Sequence, residues 1–131
     1  MRPTFVRPPD LYRDAPYEYA AVAPAGSLVF TAGACPLDAA GAVVAPGDHR
    51  GQARQALENL RLVLESAGSG FERVLKTTVY VVAEERADLV RTWEAVEEAF
   101  APARPPSTLL GVALLGYPEQ LVEIEAVALA G

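Results

Sequence analysis

Two apolar stripes with helical spacing, separated by one strongly β-forming segment, constrain this chain more than any other feature. In the first stripe, apolar residues recur every three or four positions, at Ala53, Leu57, Leu60, Leu64 and Ala67. This spacing places them on one face of a helix. Asp48 is a candidate N-cap, and Gly68 lies where a left-handed residue ends many helices. The pattern predicts an amphipathic helix that packs on one side only.

The second stripe consists of Leu89, Trp93, Val96 and Phe100, at positions i, i+4, i+7 and i+11. It predicts a second one-sided helix. Three prolines between residues 101 and 106 end this helix, because proline removes a backbone donor and clashes with the preceding turn. Between the two stripes, residues 73 to 82 are rich in β-branched and aromatic types, which indicates a buried strand.

The remaining segments complete the predicted order of elements. Residues 1 to 16 are rich in proline and charge and are expected to form an irregular arm. Residues 17 to 33 are typical of a hairpin, with a turn at Pro24–Gly26 and a short strand at Leu28–Phe30. A long loop over 34 to 48 follows, and strands are expected over 107 to 115 and 120 to 129.

This order, ββαβαββ, predicts a single α+β domain over residues 1 to 131. Each helix has one apolar side, and both are buried most simply on one face of a single mixed sheet.

Composition narrows the functional classes. The 131 residues are 51% hydrophobic and carry a formal net charge of −6. Nucleic-acid binders usually present a basic face, so no nucleic-acid partner is expected. Cys35 is the only cysteine, which excludes an internal disulfide. Neither a secretory leader nor an apolar run of membrane-spanning length is visible, so we expect a cytoplasmic protein without a membrane partner.

Metal and cofactor chemistry have little support in the sequence. His49 is the only histidine and Cys35 has no cysteine at ligand spacing, so no metal site is predicted. One histidine in a loop is also a poor basis for a nucleophilic triad. Neither a phosphate-binding loop nor a dinucleotide fingerprint is present, and no cofactor is expected.

Two glutamates in the last strand are the best candidates for chemistry. Glu123 and Glu125 alternate with Val122 and Ile124, so both carboxylates lie on one face of the strand. They are either solvent-facing or held beside an apolar cleft as a general acid or base. Gly33 after the second strand is either part of a turn or a position whose backbone amide meets a ligand. Tyr17 and Tyr19 are either surface packing or a pocket wall.

Four segments taken in order resemble the RidA/YjgF family of reactive-imine deaminases. The first is Thr31-Ala-Gly-Ala-Cys-Pro-Leu-Asp38 with Gly41, and the second is the helix beginning Gln52-Ala-Arg-Gln. The others are the strands Val74–Val81 and Val122–Ala128. The resemblance covers residues 17 to 129. It implies a chorismate-mutase-like fold, a barrel-like homotrimer with clefts between subunits, and cofactor-free hydrolysis of enamines and imines such as 2-aminoacrylate to 2-keto acids and ammonia.

The resemblance also assigns site residues. Tyr19 matches the family's pocket tyrosine, Gly33 its glycine, and Glu123 the glutamate thought to position the attacking water. Ala32 stands where the archetype has a serine, so a hydroxyl is lost, and Leu109 stands where it has a cysteine.

The family's substrate-binding arginine has two possible counterparts. Matching Pro102-Ala-Arg assigns the role to Arg104, whose planar fork suits a carboxylate. Matching the following strand puts Ser107 there, with Thr108 and Leu109 after it as further substrate-binding candidates. We favour the strand register, because Pro105 and Pro106 fit a loop better than a ladder.

The resemblance thus predicts a trimeric hydrolase in which Glu123 orients water and Arg104 or Ser107 meets the polar end of a small imine. The alternative is a trimer that binds a small metabolite, or acts as a chaperone-like protein, without turnover. The family also carries an endoribonuclease label. The acidic charge and the scarcity of histidine argue against that activity here.

Overall fold

The computed structural model describes residues 2 to 131. Its helices and strands, in chain order, are β1 (Thr4–Val6), β2 (Ala20–Val22), β3 (Leu28–Phe30), α1 (His49–Ser66), β4 (Val74–Val82), α2 (Arg86–Phe100), β5 (Ser107–Val112) and β6 (Val122–Leu129). A short 3-10 turn, Phe71–Arg73, leads into β4.

Four of the strands form one mixed sheet in the order β3-β6-β4-β5. Strand β6 lies between β3 and β4 and is antiparallel to both. Strand β5 runs parallel to β4, with Ser107 opposite Thr77. Parallel neighbours need a crossover connection, and α2 supplies it. The longest strands, β4 and β6, therefore form the centre of the sheet.

Both helices begin where the sequence provides a cap. The Asp48 side chain accepts a hydrogen bond from Gly51 N at 2.9 Å at the start of α1, and Glu85 and Asp88 form a capping box at the start of α2. Gly68 follows α1 with a φ of 76°, a left-handed conformation that favours glycine. Within residues 2 to 131, neither helix has the length and apolar character needed to cross a membrane.

The two helices cover one face of the sheet and leave the other uncovered. On the covered face, Val79, Val81 and Ile124 are fully buried against the apolar sides of the helices. The opposite face, called the open face below, carries large exposed apolar side chains, among them Phe30 at 73% exposure. It also carries polar side chains from the central strands, at Lys76, Tyr80, Glu123 and Glu125. Any ligand site on the sheet has to use this face.

The structure confirms the α+β class with two helices on one face of a mixed sheet. Several predicted boundaries shift. The strand expected over 107 to 115 ends at Val112. Ala67, placed on the apolar stripe by spacing, is an exposed residue just beyond the end of α1.

The predicted hairpin over residues 17 to 33 is wrong in its pairing. Strand β2 pairs with β1, with Ala21 opposite Phe5, and β3 pairs with β6 instead. The arm over residues 1 to 16 is therefore not irregular throughout, although Met1 lies outside the described residues. The reason is a long-range contact: Arg7 donates to the carbonyls of Arg13, Ala15 and Tyr17 and folds the arm back beside β2.

Candidate active site

Glu123 lies near the start of β6 on the open face, opposite Tyr80 of β4. The next residue, Ile124, exchanges two backbone hydrogen bonds with Ala34, of 2.7 and 3.1 Å. These bonds bring the segment that follows β3 alongside Glu123. The half-buried carboxylate is therefore bordered by a strand on one side and by this segment on the other.

Gly33 lies directly against the Glu123 carboxylate. A Cβ atom at position 33 would be 2.2 Å from Glu123 Oε2 and 2.6 Å from its carboxyl carbon. The φ angle of Gly33 lies outside the left-handed region, so the need for glycine here is one of space. From the sequence, Gly33 was expected either to belong to a turn or to expose its backbone amide to a ligand. Neither interpretation includes this steric role.

Two neutral donors hold the other carboxylate oxygen. The Cys35 thiol lies 3.3 Å from Glu123 Oε1, and the buried Gln120 amide donates to the same oxygen at 3.2 Å. We call Gly33, Cys35, Gln120 and Glu123 the Glu123 cluster. Burial, together with the hydrogen bond to Glu123 and its negative charge, raises the pKa of the Cys35 thiol to about 11. The thiol therefore stays protonated near neutral pH and remains a donor.

Glu125 shares the face of Glu123 but has different surroundings. The Tyr80 hydroxyl donates to Glu125 Oε1 at 2.5 Å. That hydrogen bond, followed by burial and the charges of both glutamates, raises the pKa of Tyr80. The Tyr80 hydroxyl on the neighbouring strand therefore binds the Glu125 carboxylate, whereas the Glu123 carboxylate faces Gly33 and the segment that follows β3.

A second group of predicted residues lines a cavity of about 440 Å³ at the start of β4 and β5. Its polar lining includes Tyr19, Lys76, Ser107 and Thr108, and we call it the Lys76 cavity. Lys76 Nζ donates to Thr108 Oγ1 at 2.5 Å. Burial lowers the pKa of Lys76, because a charged amine loses solvation inside a concavity.

Tyr19 reaches this cavity because the N-terminal arm is held in place by Arg7. The Arg7 guanidinium pairs with Glu18 at 2.9 Å and lies over the Tyr19 ring, 5.7 Å from its centroid. The Tyr19 hydroxyl donates to the Tyr12 carbonyl at 2.8 Å. Tyr17 packs edge-on against Tyr19. The two tyrosines of the sequence analysis therefore form one wall.

Arg104 does not line the Lys76 cavity. It precedes β5 in the proline-rich loop, and its side chain is exposed beside a small separate cavity with Trp93. Its backbone carbonyl accepts a hydrogen bond from Glu18 N at 2.7 Å. Ser107 is the first residue of β5, and its Oγ accepts from Thr77 Oγ1 at 2.7 Å. Strand β5 thus begins at Ser107, and Pro105 and Pro106 lie in the loop before it.

The other predicted residues are divided between the two faces. Ala32 is exposed next to Gly33 and offers no hydroxyl. Thr108 lies on the open face, whereas Leu109 pairs with Val79 and packs against the core. Leu109 also borders a cavity with Tyr17 and Trp93.

The structure therefore brings Glu123 and Gly33 together in one place and Tyr19, Ser107 and Thr108 together in another. In register, Glu123 lies opposite Tyr80, four residues along β4 from Lys76. At about 3.3 Å per residue, the backbone positions of Glu123 and Lys76 are about 13 Å apart along the sheet.

Four residues that contribute to these sites were not predicted as site residues from the sequence: Arg7, Cys35, Lys76 and Gln120. For Arg7 and Cys35 no local signal exists, because their contacts depend on how loops return to the sheet, and Gln120 contacts Glu123 from only three residues away. Lys76 did leave a signal. It is the only lysine among 11 basic residues, and it lies in an otherwise uncharged strand. Among residues 2 to 131, no three His, Cys, Asp or Glu side chains are grouped to hold a metal ion.

Comparison with known proteins agrees with this architecture. The family model described as Endoribonuclease L-PSP matches residues 11 to 130. The chain is 37% identical over 105 residues to the 2-iminobutanoate/2-iminopropanoate deaminase of Salmonella typhimurium, covering 79% of this chain and 80% of the relative. It is also 37% identical over 117 residues to the RutC family protein UK114 of Drosophila melanogaster, covering 89% and 81%.

A crystal structure of the Rid-family protein YyfB from Yersinia pestis, a protein of unknown function, superposes with a TM-score of 0.91. The two chains are 30% identical, and the superposition covers 98% of this chain and 99% of that one. The chain belongs to the RidA/YjgF family.

Proposed function

We propose that the protein is a cytoplasmic deaminase that hydrolyses small 2-imino acids and their enamine tautomers to 2-keto acids and ammonia. The observation that carries the proposal is the Glu123 carboxylate, held against Gly33 and hydrogen-bonded on one oxygen by Cys35 and Gln120. The Salmonella relative named for this activity supports the substrate class.

In the proposed reaction, Glu123 accepts a proton from a water molecule as the water oxygen bonds to the imine carbon. The electron pair of the C=N bond moves to nitrogen, which takes that proton from Glu123, and a carbinolamine results. Glu123 then accepts the hydroxyl proton of the carbinolamine and passes it to the nitrogen, and the C–N bond breaks as the carbonyl forms. Nitrogen leaves as ammonia, and Glu123 is again a carboxylate. A positioned general base typically contributes 10²- to 10⁴-fold to such a step.

The proposed assembly is a homotrimer with its sites between subunits. Two features of the open face support it. Leu28 and Phe30 at one edge of the sheet and Leu110 at the other edge are exposed there at 45%, 73% and 42%, and large exposed apolar side chains favour burial in an interface. The Glu123 cluster and the Lys76 cavity are also separated on one subunit, with backbone positions about 13 Å apart along β4. A neighbouring subunit would bring the two together.

The test is turnover of 2-iminobutanoate, generated in situ, by Glu123→Gln beside the matched variant Glu125→Gln. We expect Glu123→Gln to lower kcat by at least about 10²-fold. Glu125→Gln, which keeps an acceptor for Tyr80, should retain most of the activity. Sedimentation of both variants checks that assembly is unchanged. Equal activity in Glu123→Gln and wild type would remove Glu123 from the mechanism.

A second candidate is a trimer that binds a small carboxylate without turnover. The position of Arg104 favours it, since the guanidinium lies outside the Lys76 cavity and Ser107 occupies the start of β5. A trimeric wild type that binds 2-oxobutanoate but releases no ammonia above buffer from any 2-imino acid would establish this alternative.

A further inference from the structure

The only lysine of the chain lies in a cavity. The sequence uses arginine for ten of its 11 basic residues and lysine only at position 76. Lys76 is half-buried on the open face, in the cavity shared with Tyr19, Ser107 and Thr108. A long cationic side chain on an exposed strand normally keeps its charge in bulk water. This one is turned into a concavity instead.

The Lys76 ammonium has a neutral partner. Its described hydrogen bond is to the Thr108 hydroxyl, at 2.5 Å, and among residues 2 to 131 it forms no salt bridge. One acidic side chain, Glu18, also lines the cavity, and Glu125 lies on the same face of the sheet, but both carboxylates are already engaged. Glu18 pairs with Arg7, and Glu125 accepts from Tyr80. A partly buried charge without an opposite charge is costly, and a bound anion would compensate it.

The rest of the cavity suits one end of a small organic acid. The Thr108 hydroxyl contacts the ammonium, and Ser107 and the apolar residues Leu75 and Val127 also line the cavity. A single ammonium with hydroxyl neighbours matches a monoanion better than a dianion, especially in a chain of net charge −6. The volume of about 440 Å³ is ample for an acid of four or five carbon atoms.

We propose that Lys76 binds the carboxylate group of a small 2-imino or 2-keto acid, with Thr108 orienting the ammonium. The proposal rests on the deaminase function and on the proposed trimer, which would bring Lys76 of one subunit near Glu123 of another, and it names the group that selects the substrates. It also gives Arg104 no contact with the ligand. Lys76 is therefore a specificity-determining residue, and the chemistry stays with Glu123.

The test measures binding of 2-oxobutanoate and of its neutral analogue 2-oxobutanamide by calorimetry. Lys76→Met removes the charge and keeps the length of the side chain, while Arg104→Met makes the same charge change in a different cavity. We expect Lys76→Met to weaken binding of 2-oxobutanoate by at least about tenfold, because a charge-assisted hydrogen bond is lost. Binding of the amide should change by less than about twofold, and Arg104→Met should match wild type. The reverse pattern, or no binding of 2-oxobutanoate to wild type, overturns the proposal.

A second measurement does not depend on a variant. Reductive ¹³C-methylation labels one side chain, since Lys76 is the only lysine, and keeps its positive charge. A pH titration of that signal should show the pKa of the amine rising when 2-oxobutanoate is added, because the bound carboxylate favours the charged form. An unchanged titration at saturating 2-oxobutanoate contradicts the ion pair. Borohydride treatment of unmodified protein with 2-oxobutanoate should leave the mass of the protein unchanged. A covalent adduct on Lys76 would mean that the amine attacks the keto group as a nucleophile, which contradicts the proposed ion pair.

Turnover separates this proposal from the proposed function. If wild type hydrolyses 2-iminobutanoate and Lys76→Met does so with an unchanged KM, the deaminase stands and the role of Lys76 is refuted. If wild type binds 2-oxobutanoate through Lys76 but hydrolyses no imine, the role of Lys76 in carboxylate binding stands and the deaminase is refuted.

Discussion

The carboxylate of Glu123 fills the space that a side chain at position 33 would need: Oε2 lies 2.2 Å from where a Cβ atom of residue 33 would be. Contacts this short do not occur between real atoms, so either the carboxylate or the backbone at residue 33 must move if glycine is replaced. The position of Glu123 is therefore set from both sides, by donors on one oxygen and by the absence of a side chain near the other.

Gly33→Ala should displace this carboxylate and lower kcat for 2-iminobutanoate by about 10²-fold, the effect of misplacing a catalytic group by about 1 Å. Crowding should also cost about 1–3 kcal/mol of unfolding free energy. Gly111→Ala is the matched control, because its Cβ would meet Leu89 at an ordinary 3.9 Å. Kinetics and urea denaturation of both variants check the prediction. Wild-type kcat in Gly33→Ala would show that the observed carboxylate position is not the active one.

Cys35 should react slowly with iodoacetamide at pH 8, since its pKa is raised to about 11 from the usual 9.0. The rate should climb steeply only as the pH approaches 11. Glu123→Gln should move this profile to lower pH, because the charge of the carboxylate is removed while burial remains. The thiol is the only one in the chain, so alkylation reports on it alone. Identical profiles for the two proteins would mean that Glu123 does not contact the thiol in solution.

The raised pKa of the Cys35 thiol also makes the stability of the protein depend on pH. The folded state holds the thiol proton more tightly than the unfolded state does. The contribution of the protonated thiol to the free energy of unfolding is therefore complete below pH 9 and is lost as the pH rises toward about 11. Wild type should therefore lose stability to urea over this interval more steeply than Cys35→Ala, a variant without the titrating group. Parallel pH dependences would contradict the raised pKa.

Arg7 should control the order of the wall that carries Tyr19. Its guanidinium hydrogen-bonds three backbone carbonyls and the Glu18 carboxylate. Arg7→Met should speed amide exchange at Glu18 and Tyr19 by at least about tenfold, because charge-assisted bonds that hold the arm closed are lost. Arg13→Met removes a neighbouring positive charge while keeping the carbonyl that Arg7 uses, and its exchange rates should equal those of wild type. Unchanged protection in Arg7→Met would mean that the β1–β2 ladder alone holds the arm.

Gln52 should stabilise the turn that leads into β6. This fully buried side chain donates to Glu119 O at 2.9 Å and accepts from Leu121 N at 2.7 Å. Gln52→Ala should cost about 2–4 kcal/mol, because it opens a cavity and leaves two backbone groups without partners. Gln55→Ala, on a half-buried part of the same helix, should cost less than about 1 kcal/mol. The midpoints of urea denaturation compare them, and equal losses would contradict the bridging role of Gln52.

The elements that the sequence predicts well are those set by local periodicity. Both helices and the strands β4 and β6 follow from spacing and residue type, Asp48 is confirmed as the N-cap of α1, and alternation correctly places Glu123 and Glu125 on one face. The capping box of α2 was not predicted. The pairing of β2 could not be predicted in this way. It depends on Arg7, whose partners lie 6 to 11 residues away along a loop.

The site shows the same division between local and long-range information. Glu123 and Gly33 were identified from the family resemblance, but the reason for their pairing was not. It requires the backbone bridge between Ala34 and Ile124, which joins segments 90 residues apart in sequence. Cys35 meets Glu123 through that bridge, whereas Gln120 lies three residues before Glu123 in the same segment. Lys76 was not predicted as a site residue because it lies within a segment typical of a strand. Only the structure shows that its ammonium group lies in a cavity.

The steric exclusion at Gly33 also has a consequence for how this chain and its relatives can diverge. A lineage that keeps the glutamate of β6 cannot acquire a side chain at position 33 without penalty, whereas one that has lost the glutamate can do so freely. The favoured order of the two substitutions therefore has the glutamate changing first. In an alignment of descendants, a residue larger than glycine at position 33 should then mark members that have already abandoned the chemistry of Glu123.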